Sequence, residues 1–227
     1  MTPGRRIDLH VHSKHSPDGE AGIDRLVQRL AELRLDGLAL TDHNTVSGHS
    51  RLAELARDRP ELRLIPGVEV STREGHLLGY GIHEVPPTDR PVGETIEWVN
   101  AHGGVAVLAH PFRRVHGVGG AVAQASRVPA VEVMNGHNGP TANGRARRLA
   151  EARSLGATGG SDAHATWDLL GRTWTRFPDG AESLDDLLEA LRRGSTSAEG
   201  RSAGPLTRAR IALRSFGLRV QRGFRPI

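Results

Sequence analysis

The amino-acid sequence predicts an α/β fold whose mainly parallel sheet is closed, or nearly closed, into a barrel. Three observations predict it. Short β-like runs alternate with amphipathic helical stretches along the chain, the pattern of a parallel sheet covered by helices. No low-complexity linker or internal repeat divides the 227 residues, a length that suits one well-buried domain. Almost every strand candidate ends in a histidine, aspartate or glutamate, as expected where functional groups gather at the C-terminal mouth of a barrel.

The elements follow in order. A strand is expected over 7–12, then a helix over 23–35, where Ile23, Leu26, Val27, Leu30 and Leu33 recur at helical spacing. A strand at 37–41, a helix at 46–56 and strands at 63–70 and 76–82 come next. A helix at 92–102 precedes strands at 105–109 and 130–134, and a helix at 143–155 precedes a strand at 157–159. Each strand mixes β-branched or leucine-rich residues with turn signals at its borders. A helical stretch is expected to open at 162–164, with a short strand at 172–177 and a helix at 184–191 beyond it. The Gly/Pro-rich segments 84–91, 114–120 and 136–144 are expected to be loops over one face. Residues 1–200 form the barrel domain in this reading, and 201–227 a basic, partly helical tail. In that tail Leu206, Ala209, Ile211, Leu213, Phe216 and Leu218 suggest an apolar face packed on the barrel.

Composition removes several chemistries. The chain has no cysteine, which excludes disulfide scaffolds, thiolate zinc sites, iron–sulfur clusters and cysteine nucleophiles. A bound metal must then be held by imidazole and carboxylate, a set suited to zinc, manganese or iron. No apolar run approaches the roughly 18 residues of a membrane span, and the short N-terminal apolar stretch is broken by Asp8, His10 and His12. A cytoplasmic location is expected. The net charge of +4 hides an asymmetry: residues 201–227 hold seven arginines and no acidic residue, while the rest of the chain carries an acidic excess. Every basic side chain but Lys14 is arginine, which reflects composition bias before phosphate recognition.

The strand ends carry the chemistry. The first gives His10 and His12, with His15 and Asp18 in the next loop. The second gives Asp42 and His43, the third Glu69, and His76 opens the fourth. The strand at 105–109 leads into His110, and the last into Asp162 and His164. Residues two apart on a strand face one side, so His10 and His12 can grip one ion, and a carboxylate such as Glu69 can bridge two. Each piece alone has an ordinary explanation: a surface histidine pair, an Asp–His hydrogen bond, an ion-paired buried glutamate. Their conjunction at successive strand ends points to metal binding.

The segments DLHVHS, SPDG, LALTDHN, GVEVS, HLLGY, LAHP and GGSDAH occur in that order between about residues 5 and 193. They resemble the successive motifs of the PHP (polymerase and histidinol phosphatase) superfamily. The resemblance implies a distorted (β/α)7 barrel, TIM-barrel-like, binding two to three divalent ions. By motif, His10, His12, Glu69 and Asp162 would hold the first ion. Glu69 would bridge to a second, shared with His76 and His110, and Asp18, His43 and His164 would hold the third. His83 competes with His76 for its place, and His15 with Asp18. Asp42 is expected to orient a neighbouring imidazole. The chain has no large domain inserted between the motifs and no polymerase body, so it resembles a stand-alone PHP domain.

Such a centre hydrolyses phosphoesters with a metal-activated water, and no side-chain nucleophile is evident. Arg113, three residues past His110, is the candidate phosphate-binding fork, while Arg114 is expected to be solvated. Asn135 is a candidate substrate contact, and Glu132 a carboxylate facing the barrel interior behind the metal ligands. His116 and His137 lie on loops that can cover the site and could protonate a leaving group. The expected substrate is a small phosphomonoester, a nucleotide or a short oligonucleotide, with no membrane and no obligate protein partner. Two alternatives remain. One is an amidohydrolase-type metal hydrolase, disfavoured because its carboxylated mid-barrel lysine has no counterpart when Lys14 is the only lysine. The other is a non-catalytic metal-binding barrel, disfavoured because no ligand position is lost.

Overall fold

The computed structural model describes residues 4–164 and 169–221. Strand β1 (Arg6–Val11) leads through helix α1 (Ile23–Leu33) to β2 (Gly37–Leu40), and helix α2 (His49–Asp58) leads to β3 (Arg63–Ser71). Strand β4 (His76–Tyr80) follows directly, then α3 (Val92–Ala101), β5 (Val105–Leu108), α4 (Gly120–Ala125) and β6 (Ala130–Asn135). Helix α5 (Pro140–Arg153), β7 (Gly156–Gly160), β8 (Thr173–Arg176), α6 (Leu184–Arg192), β9 (Ser197–Gly200) and α7 (Pro205–Gln221) complete the described chain. Residues 161–164 are not helical; any continuation of that expected helix over 165–168 lies outside the described residues, as does the end of the tail.

The strands form one sheet in the order β7-β6-β5-β4-β3-β2-β1-β8-β9. It closes nearly into a barrel where β7 returns to β1 and β8. The Asp162 amide donates to the His10 carbonyl at 2.7 Å, the His12 amide donates to Ala163 at 2.9 Å, and Thr175 Oγ1 bonds the backbone of Gly159. A β-carbon at Gly160 would collide with His10, so the close approach of β7 to β1 requires glycine there.

The barrel is less parallel than the sequence suggested. β4 is antiparallel to both β3 and β5, and β8 and β9 are an antiparallel addition beside β1. The connection from β3 to β4 is a turn in which Thr72 bonds Gly75 through both amide and hydroxyl. It is too short for the crossover that a parallel pair needs. β9 and α4 were not anticipated; both are short, and β9 is half polar.

The interior is filled by Ile7, Leu9, Ile65, Leu78, Tyr80, Val105 and Val107. Leu187, Leu188 and Leu191 of α6 join that cluster, and α6 starts at a capping box between Ser183 and Asp186. Burying each such side chain stabilises the fold by about 1.5–3 kcal/mol. Outside the barrel, α1 presents Ile23, Leu26, Val27 and Leu30 to Val11, Leu38 and Leu40.

Ile7 and Leu9 face the interior, but Val11 packs outside with α1. The alternation therefore slips once within β1, where its pairing with β2 shifts register between Asp8 and Val11. That irregularity turns His10 and His12 into the barrel mouth. A second register shift, between Glu132 and Met134, brings both Glu132 and Asn135 inward.

The tail differs from expectation. α7 is helical, but Leu206, Leu213 and Phe216 are 81%, 75% and 63% exposed. Only Ile211 of the six expected apolar contacts packs on the core among described side chains.

Candidate metal centre

At the mouth, Glu69 projects from β3 with 1% of its side-chain surface exposed. Its two oxygens separate two groups of imidazoles. Oε2 lies 3.0 Å from His10 Nε2, 3.2 Å from His12 Nε2 and 3.3 Å from His43 Nδ1. Oε1 lies 2.8 Å from His76 Nδ1 and 2.9 Å from His110 Nε2. Asp162 Oδ1 sits 3.4 Å from His12 Nε2 and 3.6 Å from His10 Nε2. On the outer side, Asp18 Oδ2 lies 3.1 Å from His164 Nε2 and 3.7 Å from His43 Nε2. The nine expected ligand positions are thus brought to one mouth.

The structure places the four residues of the two alternatives that the sequence left open. Because β4 runs antiparallel to β3, its first residue, His76, lies at the mouth and its far end points away. His83 lies beyond that far end, exposed, with His49 the ring beside it. His15 is likewise exposed, whereas Asp18 meets His43 and His164.

The donor set fits divalent cations. His12 Nε2, His43 Nδ1 and Asp162 Oδ1 are buried and make no hydrogen bond, although each lies near other ligand atoms. Buried polar atoms without partners are costly, and lone pairs converging on one point suit a cation. Ligand atoms of His10, His12, Glu69 and Asp162 lie within 4.8 Å of one another, as do those of His43, Glu69 and His76, and those of His12, His43 and His164.

Without a cation, the cluster is strongly polarised. Burial alone would lower His10, but Asp162, Glu69 and Glu132 outweigh it and raise its pKa. His12 rises to about 9 against its burial, through Asp162 and Glu69. Glu69 and Asp162 are lowered despite burial, chiefly by His10. Burial, with Arg113 adding to it, pushes His110 down to about 4.

The surrounding residues fix these ligands. Glu132 Oε1 accepts from His10 Nδ1 at 2.9 Å, and Oε2 accepts from the His110 amide at 2.8 Å. It therefore orients candidate ligands at the ends of two strands. Asn135 is fully buried and donates to Glu132 and Asp162 while accepting from Arg113. Its amide, expected to contact substrate, braces the site in this structure. Asp42 also differs: its carboxylate accepts from the Ser13 amide at 2.6 Å and hydroxyl at 2.8 Å, pinning the loop after β1 instead of orienting an imidazole. His110 and Asp162 have φ of 25° and 57°, conformations that non-glycine residues adopt at a cost.

Arg113 reaches the centre. Its guanidinium bonds Asp162, Asn135 at 2.7 Å and Asn138 at 3.1 Å, whereas Arg114 is exposed at the cleft edge. His116 is exposed and stacks on His76. His137 lies closer in than a covering loop residue: it groups with Asp162 and His164, and its buried Nε2 has no partner. Burial and Arg113 hold it down at about 3 against Asp162. Its position just past the end of β6 was the signal available in the sequence.

The family model described as PHP domain matches residues 8–126, and that described as PHP-associated matches residues 140–196. The 5'-3' exoribonuclease Rnm of Salmonella typhimurium is 40% identical over 88 residues, 37% of this chain and 30% of that protein. The phosphoribosyl 1,2-cyclic phosphate 1,2-diphosphodiesterase of Eggerthella lenta is 34% identical over 97 residues, 40% of this chain and 36% of that one. The match thus spans about a third of each. PsfC of Pseudomonas syringae has the same fold, with a TM-score of 0.71 and 20% identity over 97% of this chain and 100% of that one. No helix among the described residues is long and apolar enough to cross a membrane. The chain belongs to the PHP domain family.

Proposed function

We propose that this chain hydrolyses a small phosphomonoester, a nucleotide or a short oligonucleotide at a centre of two or three divalent ions. The observation that carries this reading is Glu69, buried between two groups of imidazoles with one oxygen toward each. His10, His12 and Asp162 would hold one ion with it, His76 and His110 a second, and Asp18, His43 and His164 a third. Manganese, zinc or iron bound there would polarise the phosphoryl oxygen and lower the pKa of a water. The protein's own groups supply the rest. Glu132 fixes the His10 tautomer, so that Nε2 faces the centre. Asn135 and Arg113 hold Asp162 from behind, and the Arg113 side chain, 23% exposed, can turn its guanidinium fork toward non-bridging oxygens. Lys14, the only lysine, is exposed in the loop after β1, which argues against a carboxylated-lysine centre.

The test is phosphate release from a panel of monoesters, nucleotides and dinucleotides, after elemental analysis of the protein. Activity lost on chelation and restored by manganese, zinc or iron supports the reading. A metal-loaded protein that releases phosphate or nucleotide from none of them overturns it.

A further inference from the structure

Among the described residues, the large apolar side chains left exposed are Val115 and four residues of α7: Leu206, Leu213, Phe216 and Val220. Their spacings of seven, three and four residues return to one face of a helix with about 3.6 residues per turn. They form a stripe about 21 Å long, with Ala209, also exposed, inside it. The opposite face of α7 is occupied. Arg208, Ile211, Ala212 and Arg214 line the cleft above the metal centre, and Ile211 packs on the core. The helix is tied to the body on that side. Arg214 bonds Glu20, the Ala203 amide donates to the Asn138 carbonyl at 2.9 Å, and Asn143 donates to Ser202 at 3.0 Å. These contacts turn the apolar stripe outward.

Charge decides what such a face suits. Residues 201–227 hold seven arginines and no acidic residue. Arg210, one helical turn from both Leu206 and Leu213, is exposed on the flank of the stripe. Two copies of α7 laid together would set arginine beside arginine. A stripe of four side chains is also small against a stable protein interface, which takes about 20–30 residues a side. A bilayer surface has neither requirement: its acyl boundary takes apolar side chains without a matching shape, and anionic headgroups take the arginines. α7 is not long and apolar enough to cross a bilayer, so the arrangement left to it is flat in the interface.

We propose that the outer face of α7 docks this chain on an anionic lipid surface. Leu206, Leu213, Phe216 and Val220 enter the acyl boundary, and Arg210 meets the headgroups. Because the inner face of the same helix walls the cleft, docking holds the cleft one helix diameter, about 10 Å, from the lipid.

The test is sedimentation of the full chain with vesicles of phosphatidylcholine alone and of phosphatidylcholine containing about one-third phosphatidylglycerol. Binding to the anionic vesicles is expected to be about tenfold or more tighter, since each arginine near such a surface contributes about fivefold, and to weaken with added salt. Leu213→Ser combined with Phe216→Ser should lower it about tenfold or more. Both side chains are exposed, so metal content and the circular dichroism spectrum should not change. Arg210→Glu, which leaves the stripe intact, should weaken binding to the anionic vesicles severalfold. Failure to bind anionic vesicles overturns the proposal, as does equal binding to both lipids, or equal binding by the double variant and the unaltered chain. A lipid-free dimer that the double variant dissociates assigns the stripe to a second copy of the chain and also overturns it. Tight binding of a single-stranded oligonucleotide without vesicle binding assigns the arginines to nucleic acid, with the same consequence. None of these measurements depends on turnover at the metal centre.

Discussion

Glu132 accepts a 2.9 Å hydrogen bond from His10 Nδ1, and this leaves His10 Nε2 as the atom that faces Glu69 at 3.0 Å. One carboxylate behind the centre therefore decides which nitrogen of a candidate ligand is free. Glu132 also receives the His110 amide and the Asn135 side chain, so it links three groups.

Replacing Glu132 with glutamine keeps the volume but lets an amide nitrogen face a donor. Metal affinity is expected to fall about 10- to 100-fold with the fold retained, measured by titration of the metal-free protein. Unchanged affinity would show that the imidazole is oriented by packing alone.

The purified protein is expected to hold two or three transition-metal ions. His10→Ala or Asp162→Ala should remove nearly all activity and lower the metal content, with the circular dichroism spectrum unchanged. Less than one ion per chain after reconstitution with manganese or zinc would contradict the assignment, as would wild-type turnover in either variant.

Arg113→Ala is expected to keep its metal but lose the charge-assisted contact to phosphate, worth about 1.5–3 kcal/mol. That is about a ten- to hundredfold loss in kcat/KM. Lysine at 113 should rescue in part, because it keeps the charge without the fork, and Arg114→Ala should lose much less on a one-phosphate substrate. Equal small effects at 113 and 114 would show that no arginine at this position contacts the reacting phosphate.

Asp8, fully buried, accepts from the amides of Ser161 at 2.8 Å, Gly171 at 3.0 Å and His10 at 3.3 Å. Asp8→Ala leaves these donors unpaired and should cost about 3 kcal/mol or more, read as a drop in denaturation midpoint. Burial, opposed by those bonds, raises the Asp8 pKa to about 6, so the folded protein binds its proton more tightly than the unfolded chain. Its contribution to stability is full below about pH 4 and is lost as pH rises through about 6. In metal-free protein, Asp8→Asn should remove that component of the pH profile; an identical profile would refute the assignment.

The sequence by itself determined the α/β class, the positions of most strands and helices, and the donor types gathered at the mouth. Those features are local: apolar periodicity records which face is buried, and His10, Glu69 and Asp162 stand at strand ends that any barrel would bring together. Only the tertiary structure puts His76 rather than His83 at the mouth, because strand direction depends on the pairing of β3 with β4 and not on either strand's composition. It likewise decided the slip in β1 that puts Leu9, His10 and His12 all inside, since a bulge is set by the register of a neighbouring strand. The roles of Asp42 and Asn135 were invisible for the same reason: their partners, Ser13 and Asp162, lie far away in the chain. The C-terminal helix shows the limit most plainly. Its arginines were legible as a basic tail, but whether a helix packs its apolar stripe or lines a cleft is set by what lies across from it.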